Sequence, residues 1–251
     1  MRLASLGSGS RGNATLVQHQ ETIILVDNGF SLRKFCQRLQ RFDLSPEDID
    51  AVLLTHEHSD HSGGIARLCA KHGIPLWTAV GTARAVLPSD FEYHMLIADQ
   101  PVMIGSLEVR PVTVPHDANE PLQFVFRETD GGKQLGILTD TGHITSHIVK
   151  AYDQLDGLLL EFNYDPGMLQ NGPYPAGLKQ RVGGNHGHLS NQQSVELLQK
   201  IDTSRLSCLI AAHISENNNA PAIVADLIAG LSDVPEPVLA HQEDGFDWIV
   251  V

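Results

Sequence analysis

Ala51-Val52-Leu53-Leu54-Thr55-His56-Glu57-His58-Ser59-Asp60-His61-Ser62-Gly63-Gly64 is the stretch that decides the fold. Its first five residues form an apolar run ending on a β-branched threonine, the pattern of a buried strand. His56, Glu57, His58, Asp60 and His61 follow directly, five ligand-type side chains in six residues. Imidazole suits Zn, Fe, Mn or Ni, and carboxylate widens the choice toward harder ions. A strand end followed by the tight turn Ser62-Gly63-Gly64 can aim several of these side chains at one point. A merely solvated histidine loop would need no apolar strand leading into it.

Outward from this motif, strands and helices alternate. Upstream, strands are expected over Arg2-Leu6, Ala14-Gln18 and Thr22-Val26, the last closed by Asp27-Asn28-Gly29. Ser31 can cap a helix to about Phe42, with Leu32, Phe35, Cys36 and Leu39 on one face. Downstream, a helix is expected from about Gly64 to Lys71, then strands over Leu107-Val114, Leu122-Phe126 and Leu135-Thr139. Thr145-Tyr152 reads as a helix and Asp156-Phe162 as a strand. Residues 163–189 are rich in Gly, Pro and Asn and read as a long loop with at most short helical turns, a feature often functional in compact domains. Ser190 can cap a helix to Lys200. Ser207-Ala212 is a strand, Ala220-Ala229 a helix, and Val238-His241 and Phe246-Val250 finish the chain as strands.

Three later ligand-type residues stand just past strands: His116, Asp140 and His213. Each is ambiguous alone, and His241 is a rival for the last position. Beside the first motif they suggest a second set of ligands and a dinuclear site. Strand-then-helix units with ligands at strand ends suit an α+β, four-layer αββα sandwich. No linker-like composition interrupts residues 1–251, so one domain is expected.

Composition bounds the function classes. Hydrophobic residues make up 42% and charged residues 19%, enough for a sizeable core and too apolar for a disordered chain. A net charge of -13 argues against nucleic-acid binding through a basic surface. Two divalent ions would reverse that argument locally, adding positive charge where a phosphate would sit. Cys36, Cys69 and Cys208 form no CxxC pair and read as reduced thiols of a cytoplasmic protein. The opening residues read as a strand rather than a leader, and no apolar run approaches the roughly 18 residues of a membrane span.

The run 55–61, with His116, Asp140 and His213 in that order, resembles the metallo-β-lactamase superfamily over essentially the whole chain. That resemblance implies the αββα fold. It implies His56, His58 and His116 on one metal ion, Asp60, His61 and His213 on the other, and Asp140 shared between them. The segments at 8–13, 171–175, 187–191 and 212–218 are similar to the YycJ (WalJ) family within it, whose members are described as DNA exonuclease-like hydrolases. The tRNA-processing RNase Z enzymes and the phosphodiesterase PhnP are related branches. Gly183-Gly184-Asn185-His186, ahead of the Gly-His-Leu-Ser-Asn segment, departs from the more acidic approach expected there.

Two ions roughly 3.5–4 Å apart ionise water at neutral pH and clamp reacting oxygens. Asp60 can orient that water as well as bind metal. His188, in the loop before a helix start, is the candidate proton donor to a leaving alkoxide, and Glu161, at the end of an apolar strand, can orient it. Ser10 and Asn13 in the glycine-serine turn can contact a phosphate. The stretch Pro166 to Val195 contains no Asp or Glu but does contain Lys179 and Arg181, which suits a substrate strip. His143 is notable only for its closeness to Asp140.

The expected activity is metal-dependent phosphodiester hydrolysis, exonuclease-like, on DNA or RNA, using two divalent ions (Zn, Mn, Fe or Ni). The alternatives are a PhnP-like small-molecule phosphodiesterase and a glyoxalase II-type thioester hydrolase. A secreted β-lactamase is not expected without an export signal. A purely regulatory metal-binding module is not expected with a full ligand set, and there is no room for the flavin domain of a redox enzyme. No membrane partner is expected, and the sequence is compatible with an oligomer.

Overall fold

The computed structural model describes residues 1–251. The first half builds one seven-stranded sheet from β1 (Arg2–Gly7), β2 (Ala14–His19), β3 (Thr22–Val26), β4 (Ala51–Leu53), β5 (Leu76–Thr78) and β6 (His94–Met95). The second sheet holds β7 (Val102–Ile104), β8 (Leu107–Thr113), β9 (Leu122–Glu128), β10 (Gln134–Leu138), β11 (Gly157–Glu161), β12 (Cys208–Ala212) and β13 (Val238–Leu239). The last strand, β14 (Phe246–Val250), returns to the first sheet. The spatial orders are β14-β1-β2-β3-β4-β5-β6 and β13-β12-β11-β10-β9-β8-β7.

Period-two alternation in these strands creates the layers. Leu3, Val17, Ile24 and Leu53 point into the space between the sheets and meet Val109, Phe124, Phe126, Ile137 and Leu159 of the second sheet. Their alternate neighbours Ala4, Leu16, Leu25 and Val52 face outward, onto α1 (Leu32–Leu39) and α3 (Ile65–His72) through Phe35, Leu39 and Leu68. On the other side, Leu158, Leu160, Leu209 and Ala211 meet α5 (Ser146–Ala151), α8 (Asn191–Lys200) and α9 (Pro221–Ala229) through Ile148, Leu197, Val224 and Ile228. Two sheets between two helical layers give the expected αββα sandwich. No helix is long and apolar enough to cross a membrane.

The caps follow the sequence signals. Ser31 accepts from the Lys34 amide and Thr145 from the Ile148 amide, and Ser190 with Gln193 forms a reciprocal capping box. Four elements lie in a region the sequence did not mark: β5, β6, β7 and α4 (Val80–Val86). Strands of two or three residues are too short to display a period. The 163–189 segment is more ordered than a loop. It contains α6 (Pro166–Asn171), capped by Asp165, and α7 (Ala176–Val182).

Strand direction positions the site. β3 and β4 are parallel, as are β10, β11 and β12, so their C-terminal ends emerge on one edge. The Leu122 amide donates to Thr55 O at 3.0 Å, tying the second sheet to the strand that carries the histidine motif.

Candidate metal centre

The short α2 (Ser59–Ser62) follows the motif strand and turns His61 inward. Three ring nitrogens meet at its edge. His56 Nε2 lies 3.1 Å and His116 Nε2 lies 3.2 Å from His58 Nδ1. A tetrahedral ion with Zn–N bonds near 2.0–2.1 Å separates its nitrogens by roughly 3.3 Å, so this triangle has the size of a metal face. Backbone and side-chain partners fix which nitrogen points inward. His116 Nδ1 donates to Gly187 O at 2.9 Å, and His56 Nδ1 sits 2.9 Å from Thr55 Oγ1, which itself donates to Asp27. Asp117 Oδ1 lies 3.6 Å from His58 Nε2 and leaves Nδ1 to face the other rings.

A second group lies beside the first. His61 Nε2 is 3.4 Å from Asp60 Oδ2 and 3.3 Å from Asp140 Oδ2, and His213 Nδ1 is 3.2 Å from Asp140 Oδ1. His56, His61 and Asp140 also have donor atoms within 4.8 Å of one another, so the two groups share a border. Asp140 Oδ2 and His213 Nδ1 are buried and make no aligned hydrogen bond despite these close approaches. Lone pairs that converge without a hydrogen bond between them fit a cation. The residues present therefore suit divalent metal ions.

The electrostatics agree. Burial holds His56 and His116 below the usual imidazole range, in the neutral form that binds metal. Burial opposes charge on His61 and His213 as well, but neighbouring carboxylates win. Asp140, Asp60 and Asp27 raise His61 well above its usual range, and Asp140 with Glu161 pushes His213 up to about 10. Burial would raise Asp140, yet His213 and His61 hold it well below the ordinary carboxylate range. At these nitrogens a bound cation would compete with protons, so metal affinity should rise with pH.

Backbone conformation contributes. Asp27, Asp140 and His213 all sit at positive φ, at 61°, 49° and 54°. Such residues cost about 1–3 kcal/mol each and persist where their surroundings over-determine them. His213 is held by its amide on Ser8 Oγ at 2.9 Å and by Asn163 Nδ2 on its carbonyl at 3.1 Å. Gly29 is required for a different reason. A Cβ there would lie 1.9 Å from Asp60 O, so the turn after β3 presses directly on the motif backbone.

Asp27 is the residue that sequence reasoning missed. Fully buried, it accepts from the Thr55 amide at 2.8 Å and approaches His61 Nδ1 at 2.7 Å, so it fixes both the strand end and the His61 tautomer. The signal was available, since an Asp-Asn-Gly turn closes a parallel strand beside the motif. Asp27→Asn should weaken metal binding about 10- to 100-fold, because such outer partners orient ligating imidazoles. Chelator competition measures it, and unchanged affinity would show that Asp27 serves only the strand.

The other expected residues fall into place variously. His188 Nδ1 is 2.7 Å from Glu161 Oε1, and Glu161 Oε2 accepts from the Thr141 and Leu189 amides, each at 3.2 Å. A cavity of about 320 Å³ opens over the centre, lined by Ser10, His58, Asp60, Asp140, Arg181, His188 and His213 among others. Asn13 and Lys179 are not in its wall. Asn13 Nδ2 faces Asp60 Oδ2 at 3.2 Å and His61 Nε2 at 3.0 Å, behind the ligands, and Lys179 Nζ donates to Gln170 O at 2.7 Å. Arg181 reaches the cavity, paired with Asp117 at 2.5 Å. The acid-free strip is therefore met by an acid from another loop. Glu57 turns away to Asn119, His241 is exposed beside Asp244, and His143 and His186 stay outside the two ligand groups.

Residues 22–214 match the model of the β-lactamase superfamily domain. The chain belongs to the metallo-β-lactamase superfamily. It is 33% identical over 221 residues to the exodeoxyribonuclease WalJ of Streptococcus pneumoniae serotype 2, covering 85% of this chain and 81% of that one. It is 29% identical over 225 residues to the exodeoxyribonuclease YycJ of Bacillus anthracis, covering 87% and 84%. The metallo-β-lactamase fold protein YhfI from Bacillus subtilis superposes with a TM-score of 0.75 at 15% identity, covering 99% of each chain. This superfamily hydrolase is thus similar over most of its length to proteins named as exonucleases.

Proposed function

We propose that this hydrolase cleaves phosphodiester bonds at the ends of DNA, with RNA as the second candidate, using two divalent ions. The observation that carries the reading is the convergence of two His/Asp ligand groups on Asp140, beneath one cavity, in a chain related to WalJ and YycJ. His56, His58 and His116 would hold one ion, Asp60, His61 and His213 the other, with Asp140 shared. Bound there, the ions would supply ionised water at neutral pH and positive charge for the nonbridging phosphate oxygens.

The chain's own residues do the rest. Asp60 Oδ2, partly open to the cavity, orients the attacking water in line with the leaving oxygen. Water adds to phosphorus and gives up a proton to solvent as the bond to the leaving oxygen breaks. His188 delivers a proton from Nε2 to that oxygen, while Glu161 holds Nδ1 and keeps the ring in register. Ser10 and Arg181 contact the phosphate from the cavity wall. The three cysteines are unpaired, which supports action in the cytoplasm.

The test uses chelated enzyme reloaded with Mn or Zn, assayed on bis-p-nitrophenyl phosphate and on a 5′-phosphorylated DNA duplex. Cleavage of both is expected. Cleavage of the small diester alone would assign a small-molecule phosphodiesterase. Failure on both, with turnover of S-lactoylglutathione, would assign a thioester hydrolase.

A further inference from the structure

Helix α7 carries Leu178 and Val182 four residues apart, hence on one face, yet it buries none of its residues. Neither these two nor Tyr174, just ahead of the helix, belongs to any of the three hydrophobic clusters. All three line the cavity over the metal centre instead, with Ile214. The remaining lining is polar. The cavity therefore joins an apolar surface, of which only Ile214 belongs to the core, to a site built for a charged group.

Tyr174 is held rigidly. It stands between Pro173 and Pro175, whose rings fix their own φ angles. Its hydroxyl accepts from Asn217 Nδ2 at 3.3 Å, so the ring is anchored at its far end by a separate loop. Arg181, on the same helix, lies with Nη2 3.5 Å from His58 Nε2. One short segment thus presents a fixed aromatic ring, two aliphatic side chains and a guanidinium beside the metal ligands.

We propose that Tyr174 and α7 form the seat of a single terminal nucleotide, whose base stacks on the Tyr174 ring against Leu178 and Val182. This rests on the nucleic-acid phosphodiesterase reading above and names the part of the substrate that the site grips. An aromatic platform suits any base, because every base has a π-face. Arg181 offers a planar fork matched to the adjoining phosphate. A cavity of about 320 Å³ is at the small end of ligand pockets and takes one nucleotide, not a base-paired end. The terminal nucleotide must then leave its stack, so single-stranded or frayed ends are preferred over blunt ones.

The experiment compares two oligonucleotides, one ordinary and one with abasic residues at both termini, cleaved by the metal-loaded enzyme. Tyr174→Ala should lower kcat/KM on the ordinary strand roughly 5- to 150-fold, the range for one base–aromatic stack. It should leave cleavage of the abasic strand unchanged, with metal content and Tm preserved. Tyr174→Phe, which keeps the ring but loses its anchor on Asn217, should keep most of the ordinary rate, and Tyr174→Leu, which keeps bulk without the ring, should lose it. Should the alanine variant fold poorly, the Phe and Leu variants carry the same comparison. Equal losses on both strands, or none on either, would overturn the proposal and leave the nuclease reading standing. A wild-type enzyme that turns over bis-p-nitrophenyl phosphate but neither strand would overturn both.

Discussion

His58→Ala will give a folded protein that has lost roughly 10³-fold or more in kcat/KM, the equivalent of several kcal/mol of metal-derived charge stabilisation. Three features set the direction. The His58 ring is partly exposed, with 27% of its side chain accessible, so no core collapses when it goes. Its Nδ1 is the shared corner between His56 and His116, and without it two nitrogens remain where three converged. Its backbone carbonyl, which accepts from the His61 and Ser62 amides, survives in alanine, so α2 keeps its first turn. Metal content should fall by about one ion per chain, read by elemental analysis beside Tm and turnover. Retained turnover would remove His58 from the site, and global unfolding would make the cluster structural.

How far the sequence carries this argument differs by element. The motif at 55–61 was legible because ligand spacing and strand context coincide in one short run. His116, Asp140 and His213 were legible only through that motif, since parallel strand ends converge in space while their sequence separation is large. Asp27 lay in view but reads as a turn residue, because no local pattern distinguishes a carboxylate that closes a strand from one that fixes a distant imidazole. Glu57 shows the reverse case. It has the right chemistry inside the motif, yet a strand-to-helix corner sends alternate side chains to different faces, and this one meets Asn119. Lys179 and Arg181 are two residues apart on α7, about 200° around a helix of 3.6 residues per turn. They cannot both face the cavity, and only a decision that the segment is helical reveals it. The Gly- and Pro-rich composition of 163–189 hid that decision.

The same geometry bears on the most exposed part of the mechanism, the proton delivered to the leaving group. His188→Ala should cut turnover of an oligonucleotide by about 10²–10⁴-fold, the usual contribution of a placed general acid. The loss on bis-p-nitrophenyl phosphate should be much smaller, because p-nitrophenolate leaves without needing a proton. That contrast separates proton donation from a general disturbance of the site. Glu161→Gln should fall between wild type and His188→Ala on the oligonucleotide, since the ring loses its charged anchor at 2.7 Å but remains in place. Metal content decides between this role and a rival one. Asp140, Glu161, His188 and His213 bring donor atoms within 4.8 Å of one another, a set that can itself hold an ion. If His188 were a ligand, His188→Ala would lose metal and would fail equally on both substrates. Full metal content with a leaving-group-dependent loss is the result expected of a donor whose Nδ1 is committed to a carboxylate and whose Nε2 is left free.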